Sequence, residues 1–162
     1  MKKNVAIILG SGGHTTQILR LVDKMGKKYD YTYIIANTDS TSEKHIRIKG
    51  SVHYVYDTRL KTDKNLIKII LKFIPSTIET IKILNKIKPD FIIGCGPGMN
   101  LHVLWIAKYL FRAKLIFFES WVRVYNKSLT GRLIYPFSDL FMVQWRTMIK
   151  KYPKAVFVGR LG

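Results

Sequence analysis

The chain has 162 residues, 48% of them hydrophobic, and its 28 Lys and Arg against 10 Asp and Glu give a formal charge of +18. That length suits one domain spanning 1–162 with a full three-layer core, and the hydrophobic content excludes a disordered tail. The charge calls for an anionic partner, nucleic acid or an acidic membrane surface, apart from whatever share of the lysine excess is compositional drift.

The first predicted strand is Val5 to Leu9, and it ends in Gly10-Ser11-Gly12-Gly13-His14-Thr15 ahead of a helical pattern through Ile18, Leu19, Leu21, Val22 and Met25. Glycines in such a turn let a ligand approach the backbone, and the helix start behind it favours an anion, so the turn predicts a phosphate or diphosphate site. It matches neither a dinucleotide fingerprint nor a Walker loop, and a plain βα turn would also use small residues. His14 adds chemistry, because an imidazole there can bind an anion or take a proton from a hydroxyl near neutral pH.

Tyr31 to Ala36 predicts a second strand, followed by the polar loop Asn37 to Ser42, and Val52 to Tyr56 predicts a third. Residues 65–88 then read as a helix that is apolar on more than one face and dotted with lysines, with Pro75 expected to break or kink it. Lys68, Lys72, Phe73 and Ile74 are the expected contacts with an anionic membrane surface. The other reading is a core helix whose lysines snorkel outward.

Pro89 to Ile93 predicts a fourth strand, and Gly94-Cys95-Gly96-Pro97-Gly98 a second glycine turn before a helix over 99–111. Two such turns at the carboxyl ends of parallel strands would line the edge where open α/β sheets bind ligands; tight helix–strand packing is the other use of these glycines. The fifth strand, Ala113 to Phe118, runs into Glu119, Ser120 and Arg123, a set suited to sugar hydroxyls, to phosphate or to a structural ion pair. A short helix over 128–136, a strand over 139–144, a helix over 145–152 and a strand over 155–159 complete a doubly wound parallel sheet. The single Cys95 makes no internal disulfide, which points to a reducing compartment, and the four histidines show no ligand spacing, so neither metal nor cofactor is expected.

In matching order, Gly-Ser-Gly-Gly-His-Thr, Gly-x-Gly-Pro-Gly, Glu-Ser-x-x-Arg-Val, Ser-Leu-Thr-Gly-Arg-Leu-Ile-Tyr, Asp-Leu-Phe-x-Val-Gln-Trp and Tyr-Pro-Lys-Ala resemble one family. It is the membrane-associated, acceptor-binding subunit of the two-component UDP-GlcNAc transferase of dolichol-linked oligosaccharide assembly, with its prokaryotic capsule and exopolysaccharide relatives. The resemblance implies the Rossmann-like N-terminal half of a GT-B glycosyltransferase, with a separate catalytic chain binding the nucleotide sugar and a polyprenyl-diphosphate-linked saccharide as acceptor. It implies that Gly10 to Thr15 lie near the acceptor diphosphate, with His14 as base or phosphate ligand. Gly94, Gly96, Pro97, Gly98, Glu119, Ser120 and Arg123 are implied as cleft loops. Donors among its relatives include GlcNAc, galactose and glucuronic acid.

Eukaryotic members start with a spanning helix that this sequence lacks, so anchoring is expected at residues 64–88, helped by Trp105, Tyr109, Phe111 and Arg112, on the cytoplasmic face of a bacterial or archaeal membrane. Two other readings compete. The charge and the nine Tyr and three Trp would suit a nucleic-acid-binding module, but the basic residues interleave with Ile and Leu and no nucleic-acid motif is present. A self-sufficient nucleotide enzyme would want an acid ending the second strand, where Asn37 stands.

Overall fold

β-Branched and aliphatic runs of about five residues, too short for buried helices and flanked by turn residues, become strands, the central ones buried on both faces and the two edge strands partly exposed. The computed structural model describes residues 2–10, 12–58, 66–96 and 100–161, with side chains at 66–72 and 100 excepted. Its strands are β1 (Asn4–Ile8), β2 (Asp30–Ala36), β3 (Ser51–Val55), β4 (Phe91–Cys95), β5 (Lys114–Phe118), β6 (Leu140–Val143) and β7 (Val156–Phe157). They form one parallel sheet in the order β3-β2-β1-β4-β5-β6-β7. The direction of progression reverses between β1 and β4, and this switch point is where an open α/β sheet leaves a crevice.

Helices cover both faces. Ile18, Leu19 and Val22 of α1 (Gly13–Met25) bury against Val5, Ile7, Tyr33, Ile35 and Ile93. The opposite face holds Ile83 and Leu84 of α2 (Leu66–Ile87), Val103, Leu104 and Ala107 of α3 (Asn100–Tyr109) and Ile134 of α4 (Leu129–Ile134), packed on Ile8, Ile92, Leu115 and Phe117. The sheet is thus the middle of three layers, a Rossmann-like α/β fold.

Two expected elements come out differently. α2 runs unbroken through Pro75, because a long helix held by tertiary packing tolerates one missing N–H. It ends at Lys88, whose φ of 42° is left-handed, followed by buried Pro89. The helix expected over 145–152 is only a 3₁₀ turn, Arg146–Met148: Trp145 is extended, and burial of Met148 and Tyr152 shapes the segment instead.

Candidate functional site

The in-register ends of β1, β4 and β5 bring three loops to the carboxyl edge: Ile8 pairs with Gly94, Gly94 with Phe117 and Cys95 with Phe118. Gly12 precedes α1 at φ 65° and ψ −130°, a conformation that suits only glycine. Among the described residues no side chain caps α1 and its first turn carries no acid, so its leading N–H groups and its dipole are open to the crevice. The turn itself is held from below. Thr15 donates its hydroxyl to the Gly10 carbonyl and lies 2.8 Å from the Ser42 hydroxyl. Ser42 in turn donates to Asp39 at 2.5 Å. Burial would raise the Asp39 pKa, yet hydrogen bonds from Ser42 and Thr41 outweigh it and hold the carboxylate below its ordinary range.

His14, half-buried, reaches across the switch point from α1 to β4, its Nδ1 3.9 Å from Cys95 Sγ. Gly96, at φ 82°, lies so close that a Cβ there would overlap the imidazole ring. Gly94 serves another purpose, since a Cβ on it would press 3.0 Å from Leu104 of α3. One glycine of this turn therefore admits the histidine and the other admits the helix. Burial lowers the His14 pKa below the ordinary 6.5; Glu119 pulls it up, and Arg123 pushes it down again. The net result is a neutral imidazole at pH 7, able to accept a proton.

Glu119 is almost fully buried, and its carboxylate turns inward. One oxygen accepts from the Ser120 N–H at 3.0 Å. The other accepts from the Ser128 N–H and hydroxyl at 3.3 and 3.1 Å and from the Tyr152 hydroxyl at 2.9 Å. That geometry ties β5 to α4 and to the 146–152 segment, and the ion pair with Arg123 considered from spacing does not form among the described residues. Ser120 is buried as well, while Arg123 is exposed.

The sequence reading missed two glutamines. Buried Gln17 accepts from the Trp121 N–H at 2.9 Å and from the Gln144 amide at 2.8 Å, and its own amide lies 3.5 Å from Ser120 Oγ. Gln17 stands one turn beyond His14 on a buried helix face, and an unexplained polar residue in that stripe was the available signal. Ser11, Pro97 and Gly98 lie outside the described residues, and Lys68 and Lys72 outside those with described side chains.

The expected membrane helix has its polarity reversed in its middle. Ser76 and Thr80 of α2 are fully buried, whereas Ile74 and Ile78 are 52% and 47% exposed. Phe73 is partly covered and meets His102 of α3 edge-on. From Ile83 and Leu84 onward the pattern is ordinary, with Lys82 and Lys86 outward. Among the described residues, no helix is long and apolar enough to cross a membrane.

A family model described as "Oligosaccharide biosynthesis protein Alg14 like" matches residues 5–161. The UDP-N-acetylglucosamine transferase subunit ALG14 of Rattus norvegicus is 32% identical over 181 residues, covering 96% of this chain and 81% of that protein. Among solved structures, S. aureus MnaA with UDP matches 99% of this chain at a TM-score of 0.71 and 18% identity, and Acinetobacter baumannii MurG matches 88% at 0.68 and 12%. At such identities the likeness concerns the fold, and the chain spans 46% and 41% of those two proteins.

Proposed function

The chain belongs to the Alg14-like family of oligosaccharide biosynthesis proteins, and from that premise we propose that it is the acceptor-side half of a split GT-B glycosyltransferase. A separate catalytic chain binds the nucleotide sugar, and the pair transfers a sugar from a UDP-sugar to a polyprenyl-diphosphate-linked saccharide. Two facts support the half-enzyme reading: one Rossmann-like sheet accounts for the described residues, and the rat relative, covered to 81%, is named a transferase subunit. The relative's name favours UDP-GlcNAc as donor over UDP-galactose or UDP-glucuronic acid. The product is a lipid-linked saccharide of the kind that feeds glycan, capsule or exopolysaccharide assembly.

In this reading the uncapped start of α1 takes the acceptor diphosphate, with Gly12 and Gly13 allowing close approach. As the acceptor oxygen bonds to the donor's anomeric carbon, UDP leaves with the electron pair of the broken glycosidic bond and His14 takes the hydroxyl proton. Glu119, Gln17 and Gln144 position the loops around that imidazole. The outward Ile74 and Ile78, with Lys82 and Lys86 beside them, support a peripheral seat on the cytoplasmic face of an anionic membrane.

The observation that carries the proposal is a half-buried histidine held against Gly96 and Cys95 at the switch point, beside a helix start with no side-chain cap among the described residues. His14→Ala in the reconstituted pair is expected to lower kcat by about 10²–10⁴-fold while the two chains still copurify. A raised KM with kcat intact would make His14 a diphosphate ligand, and unchanged kinetics would remove it from the mechanism.

A further inference from the structure

Between the β5 loop, α4 and the 149–152 turn lies a concavity of about 360 Å³ lined by Tyr125, Asn126, Lys127, Arg132 and Lys151. No acidic side chain pairs with its three cations among the described residues. Glu119, the acid beneath, is buried with both oxygens engaged. The backbone on either side of the concavity is tied down. Lys127 Nζ sits 4.7 Å from the centroid of the Tyr152 ring, the Arg123 N–H donates to the Ser120 carbonyl at 2.9 Å, and Thr147 donates to the Val124 carbonyl. Ser128 caps α4 by accepting from the Gly131 N–H at 2.8 Å.

Like charges gathered on a held surface repel one another, and an anion in the concavity reverses that cost. A guanidinium fork, two ammonium groups, an amide and a phenol offer many donors, the complement of a tetrahedral oxyanion. We propose that this pocket binds a phosphate group, separate from the diphosphate assigned to the turn before α1. Two carriers present that chemistry, a phospholipid headgroup and a free phosphate or phosphorylated sugar. The neighbouring Tyr125 and Leu129, 69% and 72% exposed, would enter the interface beside a headgroup.

The triple variant K127Q/R132Q/K151Q is compared with K24Q/K28Q/K44Q, which removes the same charge from exposed lysines elsewhere. The first probe is inorganic phosphate, read as saturable NMR shifts of the amides over 125–132. The second is flotation with phosphatidylcholine vesicles with and without phosphatidylglycerol. The site is expected to respond to phosphate in the control variant and not in the pocket variant. If the carrier is lipid, the pocket variant also loses at least about tenfold in binding to the anionic vesicles, against a smaller loss in the control. A selective effect with phosphate alone assigns a soluble carrier. No selective effect with either probe overturns the proposal, and so, independently of how the variants fold, does the absence of saturable phosphate shifts over 125–132 in the parent protein.

Discussion

At the scale of single residues, His14 depends on what Gly96 lacks. Gly96→Ala would drive a methyl into the imidazole and force a left-handed φ on an L-residue. It is expected to cost about 1–3 kcal/mol in urea unfolding and to depress transfer as His14→Ala does. The His14 pKa also fixes a pH signature. Its folded value lies below the unfolded 6.5, so as pH falls the unfolded chain binds the proton first. This residue's contribution to stability is therefore full above 6.5 and lost as pH drops through the folded value. The acid limb of kcat/KM in the reconstituted pair should accordingly fall below 6.5, and a limb above that value would exclude His14 as the base. For Glu119→Gln, either orientation of the amide sets an N–H donor against the Ser120 N–H or against the Ser128 and Tyr152 donors. A loss of about 2 kcal/mol is expected. Retained stability with lost transfer would give Glu119 a role in substrate contact instead.

At the scale of elements, the proposed membrane seat rests on α2. Its middle turns bury Ser76 and Thr80 and expose Ile74 and Ile78, the opposite of what a core helix needs. Because both isoleucines are about half exposed, I74E/I78E should move the thermal midpoint little while sharply weakening binding to anionic vesicles. Unchanged vesicle binding would move the membrane contact elsewhere. The same helix marks how far sequence reading reaches. Its all-round apolarity was legible in Ile70, Ile74, Ile78 and Ile83, but which face points outward depends on α3 and the sheet. The βα alternation was legible throughout, since strands buried on both faces write themselves as short Val, Ile and Phe runs. The 145–152 segment was misread because Met148, Ile149 and Tyr152 mimic a helical stripe, whereas what they follow is a hydrophobic hollow beside α4. Glu119 was visible as a residue at a strand end, but beyond the adjacent Ser120 its partners stand nine and thirty-three positions away, outside any local spacing rule.

At the scale of the whole molecule, the charge of +18 and the open carboxyl edge belong to one account. A basic body with an outward apolar helix suits an anionic membrane, and an edge built around one sheet suits a cleft completed by another chain. The alternative of a nucleic-acid-binding module would require the lysines to form a polar stripe, yet those of α2 flank exposed isoleucines. The most direct test is sugar transfer to a polyprenyl-diphosphate-linked saccharide, measured with a panel of UDP-sugars. It uses membranes carrying this chain alone, its candidate catalytic partner alone, and both together. Transfer that needs both chains and prefers UDP-GlcNAc is the predicted result; full transfer by this chain alone, or by the partner without it, would contradict the split-enzyme account.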